Sequence, residues 1–258
     1  MKVSADVCPL CEGTGWKSVT IGTDRRVTRC DCRLQVRSQA LLAAARIPRR
    51  FQHCELANFE CDGAHRSLAP AHLAACKFVE EYPIENTGLL LTGSPGLGKT
   101  HLAVAIIKEL IRTKGINCLF CDYRELLKEM QNSYDSSVRA TEMGILRPVF
   151  DAEVLVIDEL GGATSSDWVS DTIGFLINTR YNDQKPVIIT TNFEDLPAAP
   201  ASALNEPEDM FKAKRSARKI TLGDRVGERM RSRLHEMCRI IKMEGEDFRL
   251  KVRSASFR

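Results

Sequence analysis

The octapeptide GSPGLGKT, Gly93 to Thr100, constrains the fold more than any other stretch of this chain. It follows the apolar run GLLLTG and opens the amphipathic segment KTHLAVAIIKELIRTKG, which Gly115 closes. A G-x-x-x-x-G-K-T sequence between a strand and a helix predicts a phosphate-binding loop. Chemistry accounts for the spacing. Gly96 and Gly98 let backbone N–H groups turn inward around phosphate oxygens, at the positive end of the following helix. Lys99 reaches the β- and γ-phosphates, and the Thr100 hydroxyl ligates Mg²⁺. A plain flexible glycine turn explains neither Lys99 nor Thr100. The expected ATP-binding segment is therefore Gly93, Ser94, Pro95, Gly96, Leu97, Gly98, Lys99, Thr100 and His101.

From Gly88 onward, short apolar runs alternate with amphipathic ones. NCLFCDY, VLVIDEL, PVIITTN and RIIKME read as further strands, and RELLKEMQ and SDWVSDTIGFLINTRYN as helices. Continuous apolar strands separated by helices predict an α/β fold, with a parallel sheet covered on both faces. A hydrophobic content of 43% over 258 residues is enough for that core. The expected domains are a cysteine- and arginine-bearing segment over 1–45, a connector over 46–87 with a helix at AHLAACKFVEEY, and an ATP-binding core over 88–258. The stretch between Phe193 and Leu222 reads as a loop, and its KAKRSARK as a DNA contact or, in preference, a solvated link.

Two strand ends supply partners for the phosphate loop. Asp158 ends the run Val154, Leu155, Val156, Ile157, which places a carboxylate at the sheet's carboxyl edge. It is expected to hold Mg²⁺ through water, with Glu159 orienting or deprotonating the attacking water. Asn192 ends PVIITTN and can hydrogen-bond the γ-phosphate or that water. An isolated Asn after a strand is commonly a turn former, but in register with the other two it reads as a nucleotide sensor.

At these residues the chain resembles the AAA+ ATPases, and within them the DnaC- and DnaI-type helicase loaders and the related IstB-type transposition ATPases. The resemblance runs from about Ile47 to the C-terminus, through IPRRF, LLLTGSPGLGKTHL, VLVIDELG, RYNDQKPVIITTN, RSRLHEMC and GEDFR. It implies an AAA+ ATPase core without most of the usual helical lid, acting through self-association. It also implies partners: a hexameric replicative helicase and single-stranded DNA, with ATP hydrolysis as the release switch. The IstB alternative implies a transposase helper that assembles on DNA. Glu125 to Pro148, with Lys128, Tyr134, Arg139 and Arg147, corresponds to the family's single-stranded DNA insertion, although a plain helical pair covering the sheet fits equally. A small-molecule P-loop kinase is a third class, disfavoured by IITTN and by the lack of an acceptor-substrate lid.

Near the start, CPLCEGTGW and RCDC set Cys8 and Cys11 two residues apart, then Cys30 and Cys32 one apart after eighteen residues. Two close pairs across a loop can converge on a tetrahedral Zn²⁺. A forty-residue segment with little apolar mass needs such a staple. Buried or redox-active thiols are the rival reading, and His53 or Cys54 could replace one ligand. The C-x-x-C-x-G-x-G part resembles a DnaJ-type zinc knuckle, and DnaI-type loaders bind zinc where they grip the helicase. Arg25, Arg26, Arg29, Arg33 and Arg37 surround the cluster and suit an acidic partner or phosphates. Cys118 and Cys121 should point to opposite faces of a strand as core thiols. Cys61, Cys76 and Cys238 read as small hydrophobes.

The stretch DRVGERMRSRLHE, Asp224 to Glu236, carries four arginines. On one helix, Arg225, Arg229 and Arg233 would form a stripe beside an apolar one of Val226, Met230, Leu234 and Met237, with Arg231 pointing elsewhere. The family resemblance implies an arginine finger acting on a neighbouring subunit's ATP, with Arg233 of RSRL as first choice and Arg229 as second. Arg249 of GEDFR matches another family arginine without an assigned role. A net charge of +3 does not by itself argue for nucleic acid. No apolar run nears the ~18 residues of a membrane span, and MKVSADVCPLC lacks a signal-peptide core, so a cytoplasmic location is expected.

Overall fold

The computed structural model describes residues 8–61, 67–133, 142–163, 166–198 and 219–249. At the N-terminal end, β1 (Trp16–Ile21) and β2 (Asp24–Arg29) pair antiparallel across a turn at Gly22 and Thr23. All of β2 is exposed, so this hairpin has no apolar core of its own and depends on whatever closes its base. Helix α1 (Asp31–Ala44) lies instead on the main body. Ser38 Oγ donates to the Ile111 carbonyl (2.7 Å), and just beyond the helix the Phe120 N–H donates to the Ala45 carbonyl (2.8 Å).

The main body follows the expected alternation. After α2 (Ala69–Glu81) come β3 (Gly88–Gly93), α3 (Lys99–Lys114), β4 (Cys118–Asp122), α4 (Tyr123–Ser133), α5 (Glu142–Asp151) and β5 (Val154–Asp158). These are followed by α6 (Asp167–Asn182), β6 (Val187–Thr191), α7 (Leu222–Val226), α8 (Glu228–Met237) and β7 (Cys238–Met243). The five strands β3–β7 are parallel, in the order β4-β5-β6-β3-β7. Alternate residues along each strand feed two cores. Leu89, Leu91, Val154, Val156 and Ile188 pack with α2 and α3, whereas Leu90, Leu155, Ile157, Val187 and Ile189 pack with α4, α5, α6 and α8. Cys118 belongs to the first core and Cys121 to the second, as expected for thiols of opposite strand parity. Burial pushes the Cys118 thiol far above the ordinary thiol range and the Cys121 thiol up to about 12, so both are inert apolar groups.

Connector residues complete the first core: Cys54, Phe59, Leu68, Ala71, Ala75 and Phe78 are buried against α3. Arg180 of α6 is wholly buried and donates to the carbonyls of Val149, Ala152, Glu153 and Pro186. It thereby ties the entry to β5 to the entry to β6, a structural task for an arginine of the RYNDQKP motif.

The stretch Asp224 to Glu236 departs from the single helix expected for it. The Thr221 and Asp224 side chains make a capping box that starts α7, and Gly227 (φ 80°, ψ 154°) ends it. A non-helical ψ at Gly227 re-aims the chain, so Arg225 does not continue the stripe of Arg229 and Arg233. Met230 and Leu234 do pack inward as expected, and Val226 reaches the same core from the short helix. Of the proposed DNA insertion, Lys128 on α4 and Arg147 on α5 are exposed, and Arg147 pairs with Asp151 (3.6 Å). Tyr134, Arg139 and all of KAKRSARK except Lys219 lie outside the described residues. No helix among the described residues is long and apolar enough to cross a membrane.

Candidate functional site

Strand order determines where the site can be. The chain leaves β3 and crosses β6 and β5 to reach β4, so the β3/β6 boundary is a topological switch point, and ligands of open α/β sheets bind at that end. The ends of β3, β5 and β6 carry the phosphate loop, Asp158–Glu159 and Asn192. These elements share one cavity of about 470 Å³, lined by Pro95 to His101, Glu159, Thr190, Asn192 and Arg249. The connector residues Arg50, His53, Cys54 and Phe59 form another part of its wall.

Two glycines of the loop are required by their surroundings as well as by their dihedrals. Gly96 (φ 82°) has no room for a side chain, since a Cβ would fall 1.8 Å from an Asp247 carboxylate oxygen. Gly98 (φ 84°) would place one 2.7 Å from the Phe59 ring. The loop is thus clasped between the connector and the turn preceding Arg249, and the Phe248 N–H donates to the Gly96 carbonyl (3.2 Å). Lys99 is buried, and its ammonium donates to the carbonyls of Gly93 and Ser94 at 2.7 Å each. Burial lowers its pKa to about 8, against the pull of Asp158 and with a further push from Arg249. Two cations, Lys99 and Arg249, therefore stand together at the loop, the second of which the sequence left without a role.

That pKa has a measurable consequence. Phosphate favours the charged ammonium, so binding is complete below about 8 and weakens as pH rises through that value. Raising the pH from about 7 to about 9 should lower ATP affinity by up to ~10-fold as Lys99 loses its proton. Equal affinities at the two pH values would exclude Lys99 as a titrating contact.

Asp158 is buried, and its Oδ1 accepts from Thr100 Oγ1 (2.9 Å) and Thr190 Oγ1 (2.6 Å). Burial raises its pKa, an effect that these two hydroxyls partly offset. The hydroxyl of Thr100 and the carboxylate of Asp158 are hard oxygen donors side by side, the donor set that suits Mg²⁺. Glu159 sits at φ 58°, unusual for a residue with a side chain. Its N–H donates to Thr190 Oγ1 (2.9 Å), Leu160 N–H donates to the Thr190 carbonyl (2.9 Å), and Thr191 Oγ1 donates to the Leu160 carbonyl (2.9 Å). Three bonds from β6 thus hold the turn that presents Glu159 to the cavity. Sequence reasoning missed Thr190, because a threonine inside a strand carries no signal beyond β propensity.

Asn192 is exposed and lines the cavity. Arg229 and Arg233 are exposed on α8 and are not among the residues lining the chain's own cavity. Arg231 is engaged at 2.7 Å with Asp195, and Arg225 lies over the Phe193 ring (4.9 Å) with a bond to the Ala163 carbonyl.

At the base of the hairpin, the sulfurs of Cys8, Cys11, Cys30 and Cys32 lie within 4.8 Å of one another. Cys8 and Cys30 approach to 3.7 Å and Cys11 and Cys32 to 3.4 Å, and Cys11 and Cys30 are buried. For Cys11, burial raises the pKa, but hydrogen bonds from the Gly15 backbone, Cys32, the Gly13 backbone and Cys8 outweigh it and bring the thiol to about 7. Hydrogen bonding to Cys11 pushes Cys32 up to about 12. Crowded thiols titrate as a unit in this way, one anion suppressing the next. Four sulfurs so placed fit a tetrahedral thiolate site. His53 and Cys54 are not part of this cluster: they stand beside His101 at the cavity, because the connector folds onto α3 rather than toward the hairpin.

The chain is similar to known proteins in sequence and fold. The family model for IstB-like ATP binding proteins matches residues 25–198. The replicative helicase loader DnaC of Escherichia coli (strain K12) is 29% identical over 182 residues, covering 70% of this chain and 64% of that protein. The chain therefore spans less than two thirds of that loader's length. A crystal structure of the DnaC helicase loader matches with a TM-score of 0.59 and 31% identity, covering 76% of this chain and 100% of that one. A crystal structure of DnaI matches with a TM-score of 0.57 and 25% identity, covering 77% and 95%.

Proposed function

Because the chain belongs to the IstB-like ATP-binding family and is an AAA+ ATPase, we propose that it is a loader of a hexameric replicative helicase, working in the cytoplasm. The observation that carries this reading is the match to a DnaC helicase loader over the whole of that crystal structure. The four-cysteine hairpin supports it, as a small module with an exposed basic strand beside the ATPase core. In this reading residues 1–45 contact the helicase and zinc closes the hairpin. The core self-associates in the ATP state and helps place the helicase on single-stranded DNA. Hydrolysis then releases the loader.

Within the cavity, Lys99 and the loop N–H groups hold the phosphates, and Arg249 adds charge beside them. Thr100 and Asp158 would hold Mg²⁺, which supplies charge neutralisation between the phosphates when bound. Glu159 takes a proton from, or aligns, the attacking water, and Asn192 reports the γ-phosphate. Arg233 completes the neighbouring subunit's site in trans.

The match to the IstB-like family supports a second reading, the transposase helper assembling on DNA that an IstB resemblance implies. Mixing the purified chain with the hexameric replicative helicase of its own cell separates the two. A stable complex, lost on deletion of residues 1–45, is the expected result. A complex formed with a transposase and not with the helicase would replace the loader reading with the second.

A further inference from the structure

Beside the phosphate loop, where the connector meets α3, three potential metal donors come together: His53 and Cys54, which the hairpin cluster does not use, and His101, the last residue of the expected ATP-binding segment. The ligating atoms of His53, Cys54 and His101 lie within 4.8 Å of one another, and all three residues line the cavity. Cys54 is only 1% exposed, and its Sγ lies 3.8 Å from His53 Nε2. His101 Nε2 is 3.0 Å from the Glu55 carbonyl. Donating there, it leaves Nδ1 with the lone pair, and a backbone carbonyl that fixes the imidazole tautomer is the usual support of a metal-binding histidine.

Neighbouring groups hold this arrangement in place. The His101 ring stands edge-on to His53 (centroids 6.2 Å apart) and to Phe59 (5.5 Å). Lys108, a buried α3 residue, donates to the carbonyls of Gln52 (2.6 Å) and Cys54 (2.7 Å). That ammonium pins the strand of chain bearing two of the donors onto the helix bearing the third.

We propose that His53, Cys54 and His101 form a second metal site, separate from the four-cysteine cluster, for a Zn²⁺-class ion. One sulfur and two imidazoles suit Zn²⁺ or Co²⁺, whereas Mg²⁺ prefers oxygen ligands. A tetrahedral ion with bonds of roughly 2.0–2.3 Å needs its ligands about 3.3–3.8 Å apart, so donors within 4.8 Å of one another have only about an ångström to close. His53 is exposed and free to make that movement. Binding converts the Cys54 thiol to a thiolate and releases its proton to solvent. Three protein ligands leave a fourth position for water, and the ion then occupies space in the cavity that holds the phosphate loop. Zinc and nucleotide consequently oppose one another, each weakening the other by the same factor.

Cobalt counting on the full chain tests the site. The unmodified protein should bind two Co²⁺ ions, and the variant carrying Cys8→Ser and Cys30→Ser should keep one. His53→Ala and Cys54→Ser should each keep the hairpin's ion and weaken the other by at least ~10-fold, the smallest loss seen when a metal site is deprived of mere support. His53 lies at the surface, so its variant reports even if Cys54→Ser fails to fold. Raising buffered free Zn²⁺ should lower affinity for a fluorescent ATP analogue in the unmodified chain and leave that of His53→Ala unchanged. Sequestration of zinc by the nucleotide is common to both proteins and cancels. A single Co²⁺ per unmodified chain, or identical zinc sensitivity in the two proteins, would overturn the proposal.

Discussion

Glu159→Gln should bind ATP as tightly as the unmodified chain and hydrolyse it at least ~100-fold more slowly, the lower range for loss of a general base. Among the described residues at the cavity end of β5, Asp158 is occupied by Thr100 and Thr190, which leaves Glu159 as the carboxylate without a hydroxyl bound to it. The exchange is nearly isosteric, and the bonds that hold the turn come from its backbone, so folding should not change. Affinity is read by nucleotide titration, turnover by phosphate release, and folding by the thermal midpoint. Undiminished turnover would move the base to another group and leave Glu159 as a residue of the turn alone.

Arg233→Ala should lower turnover by ~10³-fold or more, as loss of an arginine finger does, and only under conditions where subunits assemble. Arg233 is exposed on α8 and does not line its own cavity. A contribution to hydrolysis must therefore come from a neighbour. Mixing two inactive variants distinguishes this from a structural defect. An Arg233→Ala subunit retains Glu159, and a Glu159→Gln subunit retains Arg233, so contact between them should rebuild one competent site and restore part of the activity. No recovery on mixing would argue against action in trans. If Arg229→Ala abolishes turnover while Arg233→Ala does not, the finger lies one helical turn earlier.

The phosphate loop, the five strands and the facing of Cys118 and Cys121 were legible because each depends on local chemistry or on period-two alternation. Gly115 ended α3 with a left-handed turn, as its place after the last apolar residue implies. The break at Gly227 was not legible. An isolated glycine within a helical pattern is commonly tolerated, and only the Thr221 and Asp224 cap together with the burial of Val226 favoured a separate short helix. That break changed the meaning of Arg225, which turns inward over Phe193.

The sequence by itself determined where the nucleotide-site motifs lie and the class of sheet that presents them. Contiguous motifs carry their own geometry, since a loop, a strand end and a helix start lie within a few residues of each other. What it left open was decided by tertiary structure, in residues distant along the chain. Thr190 bridges Asp158 and Glu159, Phe59 and Asp247 clasp the phosphate loop, and His53 and Cys54 meet His101 rather than the hairpin cysteines. Such contacts arise when a connector without a nucleotide-binding motif packs on α3 through buried residues and the Lys108 ammonium. Its pattern of apolar residues says that it will be buried, and only the fold decides against what.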